Sequence, residues 1–289
     1  MSNTCLICQN PVSYKKLYQF MDSNLKDSYD IFECPTCHVG KTSPWPTDLS
    51  VFYKEDSYNK PQEGLNYYLK GILLRHEIKR IIHHTKTKKI LDLGCGFGDL
   101  SKNAFNMGLE PIAADASQQH PYYLKSIPEI PYLHFNYETL ELQNPQKIEG
   151  AVVILRHVLE HIKDPHSFLK QWKKYKAGYV YIVLPNFDRP ELRFFKNCDN
   201  LLGLPYHLWH FNLSSLKALL RTIDAKIIGH GFDTIPTVVD SFNVIIRQKN
   251  CPQMVKSILQ SKLFYILGLP LNIFFPNNVV WVIAKINHD

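Results

Sequence analysis

The 289-residue chain carries 33 Lys and Arg against 26 Asp and Glu, a formal net charge of +7, with 45% hydrophobic and 12% aromatic residues. This composition excludes an intrinsically disordered chain and is ample for one large α/β domain with an appendage. The mild basic excess would suit an acidic substrate or RNA, but no dense Lys/Arg run accompanies it, and an ordinary solvated surface is the preferred account.

The opening Met1-Ser-Asn-Thr-Cys5 has no basic and apolar leader, so a reducing, cytoplasmic compartment is expected, with the seven cysteines as free thiols or metal ligands. Cys5-Leu-Ile-Cys8 and Cys34-Pro-Thr-Cys37 form two Cys-x-x-Cys pairs. Four thiolates delivered as two chelating turns meet the tetrahedral demand of Zn²⁺. Tyr29–Glu33 reads as a strand entering the second turn, as in a zinc ribbon, and His38 is an alternative ligand. A site with four protein ligands is closed and therefore structural; a redox dithiol or coincidental spacing is the competing reading.

Next comes Thr42-Ser-Pro-Trp-Pro46, then an aromatic stretch containing Tyr53 and Tyr58, which reads as an ordered connector. From Leu65 to Ile82 apolar residues recur at helical spacing, predicting a helix over 64–86.

Lys88-Lys-Ile-Leu-Asp-Leu-Gly-Cys-Gly-Phe-Gly98 places Gly94, Gly96 and Gly98 directly after a short apolar strand, with Asp92 near the strand end and Cys95 inside the loop. Such glycines let the backbone turn tightly and approach a ligand. A dinucleotide loop calls for Gly-x-Gly-x-x-Gly. The Gly-x-Gly-x-Gly found here instead resembles the first motif of class I S-adenosylmethionine-dependent methyltransferases. That resemblance implies that Asp92 supports the loop around the methionine end of S-adenosyl-L-methionine. It also implies that an acidic residue ending the next strand binds the ribose, and Pro111-Ile-Ala-Ala-Asp115 supplies one.

A third strand is predicted at Tyr132–Phe135, followed by Asn136, the first choice for the adenine contact, with Glu138 as alternative. Ala151–Leu155 is a wholly apolar fourth strand. Arg156 and His157 follow at its C-terminal edge, where open α/β sheets bind ligands, and are candidate cofactor contacts. The run Leu159-Glu160-His161-Ile-Lys-Asp-Pro165 matches a second signature of the same methyltransferases; Glu160 reads as fixing the loop rather than as a metal ligand. Gly178–Leu184 is a fifth strand. Leu204-Pro-Tyr-His-Leu-Trp-His-Phe-Asn-Leu-Ser214 concentrates two His, a Tyr and a Trp ahead of an apolar helix capped at Ser214 or a neighbour, which suits an active-site wall; two histidines that only fix the loop are the alternative. Ala225–Gly231 and Val279–Ile286 complete the strands, the last antiparallel by the resemblance. The apolar insert at about 240–276 is too short and broken for a membrane span. It is either a helical hairpin on the sheet or, through 257–275, a face for a lipid-linked substrate, a membrane interface or self-association.

Together, the cysteine pairs, the Thr-x-Pro-x-Pro segment, the Tyr-rich stretch, the glycine loop and Leu-Glu-His-x-x-Asp-Pro resemble the zinc-ribbon methyltransferases that include sugar C-methyltransferases. The resemblance implies a Rossmann-like seven-stranded α/β sheet with a small N-terminal zinc ribbon. The expected organisation is a ribbon at 1–50, an aromatic connector and cap helix at 51–87, and the catalytic domain at 88–289. It implies S-adenosyl-L-methionine as cofactor with structural Zn²⁺. The expected acceptor is a small molecule, a sugar or a carrier-linked intermediate, methylated at O, N or C. His207, assisted by His161 or His210, is the candidate base that deprotonates the acceptor, oriented by Tyr58 or Tyr206. Competing functions are an RNA methyltransferase that grips RNA with the ribbon, and a non-catalytic adenosyl-fold scaffold.

Overall fold

The computed structural model describes residues 4–21, 28–46, 64–195, 200–235, 241 and 269–288. In chain order the elements are β1 (Lys15–Met21), β2 (Ser28–Glu33), β3 (Gly40–Ser43), α1 (Gly64–Thr85), β4 (Lys89–Leu93), α2 (Asp99–Asn106), β5 (Glu110–Asp115) and β6 (Tyr132–Asn136). They continue with β7 (Glu141–Leu142), β8 (Val152–Arg156), α3 (Pro165–Lys174), β9 (Tyr179–Pro185), α4 (Pro190–Phe195), β10 (Trp209–His210), α5 (Leu213–Thr222), β11 (Ala225–Asp233) and β12 (Val279–Ile286). Tyr53, Tyr58 and most of the 257–275 segment lie outside the described residues.

The chain divides into two compact units. The first comprises Met1–Pro46, Leu184–Leu216 and Gly231–Trp281, the second Thr47–Val183, Lys217–His230 and Val282–Asp289. The first unit thus joins the N-terminal cysteines to segments from the chain's second half.

The principal sheet has the order β11-β12-β9-β8-β4-β5-β6-β7. β4 pairs in parallel with β5 on one side and β8 on the other, and the parallel run extends to β6 and β9. Because β8 is buried on both faces, Val152–Leu155 can be continuously apolar, as central parallel strands are. The seven expected strands are present, and the two-residue β7 adds an eighth, antiparallel to β6. β12 runs antiparallel to β9, since Asn186 N–H donates to the Asn278 carbonyl at one end (2.9 Å) and Ile286 N–H to the Gly178 carbonyl at the other (3.0 Å). Beside the sheet, Trp172 of α3 is fully buried, stacked on Phe135 at 5.6 Å and edge-on to Phe168 at 5.5 Å. The Asp-Pro of the second signature starts α3: Asp164 caps it by accepting from Ser167 N–H (3.0 Å) and Oγ–H (2.7 Å), with Pro165 in the first turn.

In the first unit a four-stranded sheet has the order β1-β2-β3-β10. Its core contains Phe20 and Ile31 from the hairpin together with Phe187, Leu192 and Leu202. Of the apolar insert, Leu269–Phe274 forms a short 3₁₀ helix on which Ile273 and Phe274 are exposed. Among the described residues no helix is long and apolar enough to cross a membrane.

Candidate functional site

The direction in which the chain leaves the sheet reverses at β4, with later strands added on either side, and open α/β sheets bind ligands at the carboxyl ends of strands at that point. The glycine loop leaves β4 there. Gly94, Gly96 and Gly98 have φ of 72°, 53° and 86°, the left-handed region that favours glycine. Gly94 N–H and Cys95 N–H both donate to the Ala114 carbonyl, at 2.8 and 3.2 Å, which clamps the loop to the end of β5. Asp115 Oδ2 accepts from Gly96 N–H at 3.0 Å, and Oδ1 from Ala116 N–H at 2.7 Å. A Cβ added at Gly96 would meet nothing within 4 Å, so the loop presents open backbone beside a carboxylate. That arrangement fits the ribose end of an adenosyl cofactor.

Asp92 is buried beneath this loop. Its Oδ2 accepts from Ser101 Oγ–H (2.7 Å) and Ser101 N–H (3.2 Å), taking the place of the side-chain cap that Gly98 cannot offer to α2. Burial raises its pKa to about 6, against the lowering effect of Ser101 and then of Arg156. Cys95 is buried with Ala113, Leu124 and Ile130, and burial pushes its thiol well above the usual range. α2 opens on Asp99, whose Oδ2 pairs with Lys70 Nζ of α1 at 2.9 Å. A carboxylate at a helix N-terminus occupies the place where a dinucleotide's diphosphate would sit, so the charge agrees with the glycine spacing in disfavouring that ligand.

Asn136 is exposed, and its Oδ1 accepts from Glu138 N–H (2.8 Å) and Thr139 N–H (3.1 Å), closing a turn. Arg156 Nε lies 3.3 and 3.2 Å from the two carboxylate oxygens of Glu77, tying the end of β8 to α1. His157 has a φ of 55°, and its Nδ1 is 3.5 Å from Oε1 of the buried Glu160. His161 is half-buried in the same turn, its N–H donating to the Val158 carbonyl. Ser101 and Glu77 were not singled out from the sequence. Ser101 is legible as the third residue of the helix that follows a side-chain-free Gly98; Glu77 has no sequence signal.

In the first unit the four thiols form one cluster. Cys5 and Cys37 Sγ are 3.9 Å apart, as are Cys8 and Cys34 Sγ, and all four lie within 4.8 Å of one another. Tetrahedral bonds of about 2.3 Å to Zn²⁺ separate sulfurs by about 3.8 Å, so the cluster fits that ion. The two turns also share their hydrogen bonds. Cys5 O accepts from Gln9 N–H and Cys34 O from His38 N–H, each at 2.9 Å, with φ near 60° at both Gln9 and His38. His38 Nδ1 is 3.3 Å from Glu33 Oε1, and His38 is not part of the four-sulfur cluster.

The His-rich loop belongs to this unit as well. β10 pairs with β3, Trp209 opposite Lys41 and His210 opposite Gly40. His207 is half-buried, with its ring 6.5 Å from that of His210. His210 is buried, tilted against Phe187 at 5.4 Å, with Nε2 2.9 Å from Thr42 Oγ1. α5 is capped by Asn212: its Oδ1 accepts from Ser215 N–H at 2.8 Å, and its Nδ2 donates to the His38 carbonyl at 3.3 Å. Tyr58 lies outside the described residues.

Residues 66–230, more than half of the chain, match the family described as a methyltransferase domain. Among curated proteins, the chain is 26% identical over 127 residues to the ubiquinone biosynthesis O-methyltransferase of Pelagibacter ubique, covering 42% of this chain and 52% of that protein. It is 34% identical over 92 residues to the enzyme of the same name from Idiomarina loihiensis, covering 30% and 37%. The chain thus spans about half or less of the length of these relatives. The fold is shared with the PH0226 protein of Pyrococcus horikoshii, at a TM-score of 0.50 and 11% identity over 83% of this chain and 100% of that one. The glycine loop, the strand-end Asp115 and the strand order are those of one family, and the chain belongs to the class I S-adenosylmethionine-dependent methyltransferases.

Proposed function

We propose that this protein methylates a hydroxyl group of a small-molecule or carrier-linked biosynthetic intermediate. The observation that carries the reading is the Gly96–Asp115 hydrogen bond at the carboxyl end of β4, inside the matched methyltransferase domain. When bound, S-adenosylmethionine supplies a methyl group already activated by its sulfonium charge. The protein then has two tasks, to align the acceptor and to take its proton. Asp115 and the loop backbone would hold the adenosyl end, and His207 is the base in this reading, imidazole being the side chain most used for proton transfer. His161 is the alternative base. Oxygen is favoured over nitrogen or carbon as the acceptor atom because the curated relatives are named O-methyltransferases. A sugar acceptor stays within the reading only through the resemblance of the cysteine pairs and the Leu-Glu-His-x-x-Asp-Pro run to the zinc-ribbon methyltransferases.

Cys5, Cys8, Cys34 and Cys37 bind one structural Zn²⁺ in this proposal; with four thiolates the site has no open position for chemistry. The deciding experiment is calorimetric titration of the metal-loaded protein with S-adenosylmethionine and S-adenosylhomocysteine, with Asp115→Ala as control. Micromolar binding lost in the variant supports the reading. Absence of binding to the folded protein leaves the scaffold function.

A further inference from the structure

Thr42 belongs to the cysteine module, five residues beyond Cys37, and is fully buried. Its side chain and backbone nevertheless engage three residues of the His-rich loop, His207, Leu208 and His210. Its Oγ–H donates to the His207 carbonyl at 2.7 Å, its N–H donates to the Leu208 carbonyl at 3.0 Å, and its Oγ1 lies 2.9 Å from His210 Nε2. A threonine hydroxyl has one hydrogen. Because that hydrogen is committed to the His207 carbonyl, the contact to His210 is satisfied only if Nε2 carries the proton and donates. The hydroxyl therefore does two things at once: it holds the main chain of His207 and sets the tautomer of His210.

The ring of His207 is constrained from the other side. His207 N–H donates to the Gly203 carbonyl at 2.8 Å, and a methyl group added at Gly203 would collide with Cε1, Nδ1 and Nε2 of the imidazole. The ring thus lies directly on the face of Gly203 while its carbonyl is pinned by Thr42. β3 supplies the rest of the frame, through Lys41 opposite Trp209 and Gly40 opposite His210.

We propose that Thr42 is a positioning residue for the candidate base His207, acting through the His207 carbonyl and the His210 ring. The cysteine module is then the rigid support from which the His207–His210 segment is presented. This inference rests on the reading of His207 as the base.

The test uses zinc-loaded, full-length protein labelled with ¹⁵N in the histidine rings, observed by long-range ¹H–¹⁵N correlation. His210→Gln and His207→Gln variants assign the two rings. Wild type shows His210 as the Nε2–H tautomer. Thr42→Val, which keeps the shape but loses the hydroxyl, loses that pattern and shifts the His207 ring signals; Thr42→Ser restores both. Gly203→Ala shifts the His207 signals and leaves the His210 tautomer in place. S-adenosylhomocysteine binding, measured in parallel, stays at the wild-type level in Thr42→Val. Unchanged ring signals in Thr42→Val overturn the inference, as does a Thr42→Ser variant that fails to restore them. Failure of wild type to bind S-adenosylhomocysteine overturns the methyltransferase reading instead, and the tautomer remains measurable in that case.

Discussion

The amide of Gly96 donates to the carboxylate of Asp115 across 3.0 Å, so the loop after β4 and the end of β5 are held by one hydrogen bond. The same carboxylate is the group that would receive the ribose hydroxyls. Asp115→Ala removes both roles. Charge-assisted hydrogen bonds contribute about 1.5–3 kcal/mol, so S-adenosylhomocysteine affinity should fall by about tenfold to a hundredfold. Calorimetry measures the loss, and an unchanged far-UV circular dichroism spectrum separates it from unfolding.

The Asp99 carboxylate at the start of α2 makes a selectivity prediction. Wild-type protein should bind S-adenosylhomocysteine and show no competition by NADH at millimolar concentration, because a diphosphate there would face a carboxylate that is nine-tenths buried and paired with Lys70. Displacement of bound S-adenosylhomocysteine by NADH would contradict the assignment of this loop.

Asp92 makes stability depend on pH with a defined sign. Its pKa rises from 3.8 to about 6, chiefly through burial. The unfolded carboxyl therefore gives up its proton first, and Asp92's contribution is fully present below about pH 4 and lost as pH rises through about 6. Two units correspond to about 3 kcal/mol. Asp92→Asn keeps an oxygen for Ser101 and cannot ionise. The stability difference between variant and wild type, from urea midpoints, should therefore move in the variant's favour between pH 4.5 and 7.

If the four sulfurs hold zinc, purified protein contains about one Zn²⁺ per chain by elemental analysis. Cys8→Ser or Cys34→Ser should reduce that content sharply and lower the thermal midpoint, since binding energy at such sites is folding energy. Trp45 and Trp209 meet edge-on at 5.7 Å, and their near-ultraviolet circular dichroism should change when a chelator strips the metal.

Trp172 tests the core beneath the sheet. Trp172→Ala should cost about 3–5 kcal/mol by denaturant titration. Its indole nitrogen is buried with no hydrogen-bond partner among the described residues, so Trp172→Phe deletes an unsatisfied donor together with part of the ring. The Phe variant should therefore be the milder of the two.

Much of this protein was legible in one dimension because the relevant signals are local. The glycine loop, Asp92, Asp115, the apolar fourth strand and the start of α2 at Asp99 all lie within runs whose spacing reports backbone geometry directly. The cysteine pairs are legible for the same reason, since two chelating turns are local motifs that need only be brought together. Roles within those runs were less accessible. Asn136 closes its own turn, Asp92 caps α2 through Ser101, and α5, expected to be capped at Ser214 or a neighbour, is capped by Asn212. In each case a short polar side chain satisfies a nearby backbone group, and the residue type alone does not say which group it chooses.

The sequence by itself determined the sheet of the methyltransferase domain, its ligand loop and a four-thiol module, because periodicity, glycine spacing and chelate spacing are properties of neighbouring residues. Only the tertiary structure decided that β10, from the His-rich loop, completes the sheet of the cysteine module, and that Thr42 reaches residues 165 and 168 positions away. A two-residue strand has too few residues to announce itself by alternation, and the partner of a buried hydroxyl is set by which chain segments pack together, a choice made by the whole core.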